Sequence, residues 1–100
     1  MFRRPHADTI RRQLDLFERE HAKLLVRAAE ALREYDAAPR DEAEERYGDY
    51  VDLLDLAAAH LAELRDGFAS TLADPAPYLR AFDRAAARRF PQLGEALKET

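Results

Sequence analysis

Apolar positions in the first third of the chain recur at alternating steps of four and three. Ile10, Leu14, Phe17, His21, Leu24, Ala28, Ala31 and Tyr35 fall on this seam, with His21 its one strongly polar member. A repeat averaging 3.5 residues keeps all of them on one face of a helix. Leu25 and Leu32 widen the seam into a stripe fit to face a core. Pro5 and Asp8 suit the first helical turn. A missing N–H is harmless there, and a carboxylate meets the positive end of the helix dipole. Asp36-Ala-Ala-Pro39 closes the helix, because the residue before a proline is pushed out of the α region.

The acidic run Asp41 to Glu45 predicts the start of a second helix. Tyr47, Val51, Leu54, Ala58, Leu61, Arg65, Phe68 and Leu72 trace one stripe along it. Tyr50, Leu53, Ala57, Leu64 and Thr71 trace another beside the first. A helix that is apolar over two adjacent stripes touches two neighbours. Asp74-Pro75 then reads as an N-cap followed by proline at the first helical position. Tyr78, Leu79, Phe82, Ala86 and Phe90 face inward from a third helix, Pro91 interrupts or kinks it, and the segment beyond is a frayed tail or a short final turn with Leu93 and Leu97 available for docking. The pattern predicts one all-α domain over residues 1–100: an antiparallel hairpin with a shorter third helix, in a three-helix bundle.

The lengths do not match. At ~1.5 Å per residue the first two helices each run about 40–45 Å, and the third reaches about half of that. It starts beside the end of the second helix and folds back over the same half. The hairpin tip is left uncovered, where Leu24, Leu25 and Leu32 face Tyr47, Gly48, Tyr50, Val51, Leu53 and Leu54. An uncovered apolar patch of this kind marks a partner surface, and the economical partner is a second copy. The expectation is a homodimer with a four-helix core at the tip. Gly48 offers two readings. A missing side chain lets another helix approach closely; alternatively, the second helix begins only at Asp49.

Composition agrees with helix. Apolar residues make up 47% of the chain and charged residues 36%, dominated by Ala, Leu, Glu and Arg. Cysteine is absent, which removes disulfides, thiolate metal sites and a cysteine nucleophile. The opening MFRRPHADTIRRQL has arginines with no apolar core behind them, so no secretory leader is expected. The longest apolar runs, such as Leu56 to Ala59, are too short to span a bilayer. A cytoplasmic location with no membrane partner is expected by elimination. The net charge of −4 is uneven: residues 40–72 carry nine acidic against three basic side chains, whereas the segments on either side are each at +1. No nucleic-acid partner is expected from such a balance.

Candidate chemistry is sparse. Glu18 and His21 lie three apart on one helical face, the spacing of carboxylate-bridged metal bundles. In an antiparallel hairpin His60 falls at about the height of Glu18. These three residues define an alternative reading, a helical bundle binding Fe, Mn or Zn, against which stands the absence of a second Glu-x-x-His. Otherwise His21 is a packed seam residue, His60 a flank residue and His6 solvated. Asp41, Glu45, Asp49 and Asp52 form a solvated acidic row. Arg80, Arg84 and Arg88, joined by Arg89, form a basic row expected to meet acids of this chain or of a partner subunit. Ser70 is the lone serine, and Gly48, Gly67 and Gly94 are too scattered for a phosphate loop. With no catalytic set and no cofactor motif, the sequence points to a non-catalytic interaction or assembly module.

Overall fold

The computed structural model describes residues 6–100, and the Pro5 expectation lies outside the described residues. Five α-helices follow in order: α1 (Ala7–Glu20), α2 (Ala22–Ala37), α3 (Ala43–Ala69), α4 (Ala76–Arg89) and α5 (Gly94–Lys98), with one 3₁₀ turn (Pro91–Leu93) before α5. The described residues are all helix, turn or loop, as expected. The count differs from three because two expected helices are broken. The first breaks at His21, whose N–H still reaches Phe17 O at 2.9 Å and whose carbonyl still accepts from Leu25 at 3.0 Å. No proline or glycine lies there. The break coincides with a change of partner, since α1 packs on α3 and α4 while α2, apart from its junction with α1, packs on α3 alone. The second break is at Phe90–Pro91, where proline has no N–H to continue the ladder.

Two boundaries also correct the sequence expectations. Asp74 does not cap α4. Pro75 occupies the N-cap position with no side-chain cap, and its carbonyl accepts from Leu79 at 2.9 Å. Helix α3 starts at Ala43, so Gly48 is inside the helix and not in a preceding loop.

The molecule measures 53 × 23 × 21 Å and has two unlike halves. In the body, α1, the C-terminal half of α3, α4 and α5 enclose Phe17, Leu61, Tyr78, Phe82, Leu93 and Leu97, all essentially without solvent contact. Phe17 meets Phe90 edge to face at 5.4 Å between ring centres, a favourable quadrupole arrangement. Burial of each such side chain contributes about 1.5–3 kcal/mol. The last segment is docked rather than frayed: Leu93 and Leu97 insert against α3 and α4. In the arm, α2 and the N-terminal half of α3 have only each other. Ala28 and Ala31 are the buried residues of α2, small enough to let the two backbones come close.

Polar groups tie the body together. Tyr78 is fully buried and its hydroxyl donates to Gln13 Oε1 at 2.8 Å, linking α4 to α1. His6, expected in solvent, is half-buried in the left-handed region (φ 62°), its ring edge-on to Tyr78 at 5.5 Å and to Phe68 at 6.1 Å. Histidine tolerates that backbone better than most residues, and the ring contacts offset its cost.

Burial pushes the Tyr78 phenol above its ordinary pKa. The folded state therefore holds this proton longer than the unfolded state. The associated stability is complete below the unfolded value of about 10 and is lost as pH rises through the folded value. Tyr78→Phe is expected to cost about 1 kcal/mol at neutral pH through the lost hydrogen bond. It should also flatten the decline of unfolding free energy above about pH 10. Urea titrations at pH 7 and pH 10.5 measure both effects, and an unchanged alkaline slope would contradict the assignment.

Candidate interaction surfaces

Three places bring chemistry-bearing side chains together. The first is the break between α1 and α2. His21 and His60 stack with ring centres 4.3 Å apart and planes 17° from parallel, and Phe17 closes the other side of His21 at 5.3 Å. The antiparallel hairpin thus brings the two histidines to one height, as the spacing predicts. Glu18 turns away from them. Its carboxylate accepts from Arg89 Nη2 at 3.1 Å, while Asp15 accepts from Arg89 Nη1 at 2.6 Å. Arg89 also lies 5.6 Å from the centre of the Phe90 ring. The hydrogen bond to Asp15, and then that to Glu18, holds the guanidinium above its ordinary pKa.

This geometry counts against Glu18, His21 and His60 as a metal centre. A ring nitrogen donates its lone pair in the plane of the ring. Two nearly parallel stacked rings aim those pairs side by side, not at one point, and a third ligand is engaged elsewhere. Among the described residues no group of three His, Asp or Glu side chains is placed to hold an ion.

The second place is the arm. At its tip Tyr35 meets Tyr47 across the hairpin at 5.2 Å, yet Tyr47 remains 51% exposed and Leu32 37%. Leu24, Leu25, Tyr50, Val51, Leu53 and Leu54 are half-buried, and Gly48 is exposed. Beyond its own helical turn, a Cβ added at Gly48 would meet no atom of the described residues within 4 Å. Asp41, Glu45, Asp49 and Asp52 are exposed, as expected of a solvated row. Arg46 lies 3.8–3.9 Å from Glu34, Glu42 and Asp49, a loose arrangement in open solvent.

Helical phase relates the arm to the body. Tyr47 precedes Arg65 by 18 residues on the unbroken helix α3. At 3.6 residues per turn that interval is five whole turns, so the two share an azimuth. In the body that azimuth is covered by α4. Leu14 lies beside Ala81 and Ala85, and Arg65 reaches Asp83. In the arm the same side is flanked by Leu25, Leu32, Tyr47 and Val51, and among the described residues no third helix lies over it.

The third place is the outer face of α4. A groove of 770 Å³ between α1 and α4 has a floor of Ile10, Leu14, Ala81 and Ala85 and is rimmed by arginines, including Arg11, Arg84 and Arg88. Among the described residues Arg80, Arg84 and Arg88 enter no ion pair, whereas Arg89 does. Of the expected intramolecular partners for this row, only those of Arg89 are found.

Sequence pattern missed one further arginine, because Arg65 lies on an apolar stripe. It is 7% exposed and donates from Nε to Asp66 at 2.8 Å, from Nη1 to Asp83 at 3.0 Å and from Nη2 to the Thr100 main-chain oxygen at 3.4 Å. Asp66, followed by Asp83, raises its pKa against the effect of burial. This arginine joins α3, α4 and the segment after α5, and it is structural. No buried side-chain nitrogen or oxygen among the described residues lacks a hydrogen-bond partner, so no orphaned polar group points to a ligand in the core.

Arg65→Ala is expected to cost about 2 kcal/mol. The two aspartates it leaves behind are well exposed and rehydrate, which keeps the cost below the 3–5 kcal/mol of breaking a fully buried pair. Arg89→Ala, at a more exposed site, should cost about 1 kcal/mol or less. Urea unfolding of both variants checks the order. Zn²⁺, Mn²⁺ or Fe²⁺ is expected to leave the melting temperature unchanged, since only an ion that binds the native state raises it. Comparison with known protein families, curated proteins and solved structures finds no match, so the functional argument rests on these surfaces alone.

Proposed function

We propose that this chain is a non-catalytic interaction and assembly module that self-associates through the tip half of its helical arm. The carrying observation is the empty trough: the apolar azimuth that α4 covers in the body runs on, bare, past Leu32 and Tyr47. A two-helix pair buries the seam between its members and leaves the flanking rows wet. A further helix in the trough converts the arm into a local bundle. The described residues supply no such helix to their own arm, and in a symmetric pair each copy supplies it to the other.

Gly48 supports the same reading. Glycine at the sixth position of α3 costs roughly 1 kcal/mol against alanine, and no contact within the chain requires it. It borders the trough in the row next to Val51, where a missing side chain admits a close backbone. A catalytic alternative lacks support in the same residues: the carboxylates of the arm are exposed, and among the described residues no third ligating group joins the histidine pair.

The native chain is expected to sediment as a dimer at micromolar concentration. Leu32→Glu combined with Tyr47→Glu should give a monomer with unchanged helix content by circular dichroism. Gly48→Ala separates the two roles of that residue: it should stabilise the dissociated chain by up to about 1 kcal/mol while weakening association. A native chain that stays monomeric up to about 100 μM would rule out self-association of useful strength.

A further inference from the structure

The proposed self-association leaves open which surface of the second copy enters the trough, and charge decides between the two available arrangements. The arm, residues 22–60, carries ten acidic against five basic side chains. A tip-to-tip pair would press two such arms together, and like charges brought into contact oppose association. The outer face of α4 has the opposite character. Residues 76–90 hold four arginines against the single Asp83, and three of those arginines have no carboxylate within ion-pair distance among the described residues.

We infer that two copies lie side by side and antiparallel, so that the trough of each arm receives the arginine face of the other copy's α4. This rests on the self-association proposed above and adds the identity of the contacting surface. Three features fit. First, the trough and α4 lie on one side of the molecule, because Tyr47 shares an azimuth of the unbroken α3 with Arg65, which reaches Asp83 of α4. One two-fold operation therefore brings both surfaces into contact at once. Second, the spacing closes. Tyr47 and Arg65 are 18 residues apart along the unbroken α3, about 27 Å at ~1.5 Å per residue. This is well inside the 53 Å length of the molecule. The two-fold axis then passes near the midpoint, at the level of Leu56. Third, the edge of the trough is acidic where Gly48 leaves it open. Glu44 and Asp55 are exposed and by helical phase lie on the same side of α3, within about two turns of Gly48. They stand where guanidinium groups from Arg80, Arg84 and Arg88 would arrive, while the arginine stems lie along Leu32 and Tyr47.

The chain has no cysteine, so introduced thiols report contacts cleanly. Leu32→Cys and Arg84→Cys single variants are mixed under mild oxidation. The expected product is a covalent heterodimer of the two variants, with neither forming a disulfide-linked dimer alone. Leu32→Cys linking to itself would show a tip-to-tip pair and overturn this arrangement while leaving self-association intact. A dimer with no cross-link in any combination would overturn it equally. A native chain that is monomeric by sedimentation would instead remove the self-association beneath it. As an independent readout, Arg84→Glu with Arg88→Glu should raise the dimer dissociation constant about tenfold at low salt, with the difference shrinking as salt is added. An unchanged constant would contradict the inference. Capture by an unrelated basic helix, with no contact between copies, would assign the trough to another protein and also overturn it.

Discussion

Two helices packed side by side can bury the seam between them and little else. Each also carries flanking rows, and those rows stay wet unless a third element lies over them. In this chain the third element is α4, and it is half as long as α3. The body gains a core of aromatic and leucine side chains from that cover. The arm does without it and relies on Ala28 and Ala31 to bring its two helices together. The uneven exposure, the break at His21 and the isolated arginine face all follow from where α4 begins and ends.

Much of this was legible from spacing. The 3.5-residue seam of the first segment, the double stripe of the second and the proline at position 91 place the helices to within a few residues. Leu93 and Leu97 are marked as docking residues by pattern, and both are buried. Counting back from the turn at Pro39 places His60 at the height of Glu18, and the structure stacks it on His21, three residues further on. The exposed acidic row also follows from helical spacing.

What escaped the sequence is side-chain choice among competing partners. Glu18 has the spacing of a metal ligand, but Arg89 lies across the groove and a charge-assisted hydrogen bond captures the carboxylate. Arg65 sits in an apolar stripe. Nothing local reveals that Asp66 and Asp83 make its burial tolerable, since one of them is 18 residues away. The break at His21 has no proline or glycine to announce it, because its location is set by which helices lie alongside. His6 looked solvated because the aromatic rings that receive it belong to α3 and α4. All four are tertiary facts, and each depends on distant segments meeting.

Among the described residues, helix α3 is the only element that runs unbroken through both halves. Its C-terminal turns are sandwiched among α1, α4 and α5, and its N-terminal turns have α2 alone. Backbone amides along this one rod thus experience a graded environment, tightest near Leu61 and loosest near Gly48. Local opening draws first on the least-packed turns, so the molecule has a built-in order of unzipping that starts at the distal turn and halts at the aromatic core. A binding event at the distal end would be felt along the rod as a loss of that fraying rather than as a change of shape.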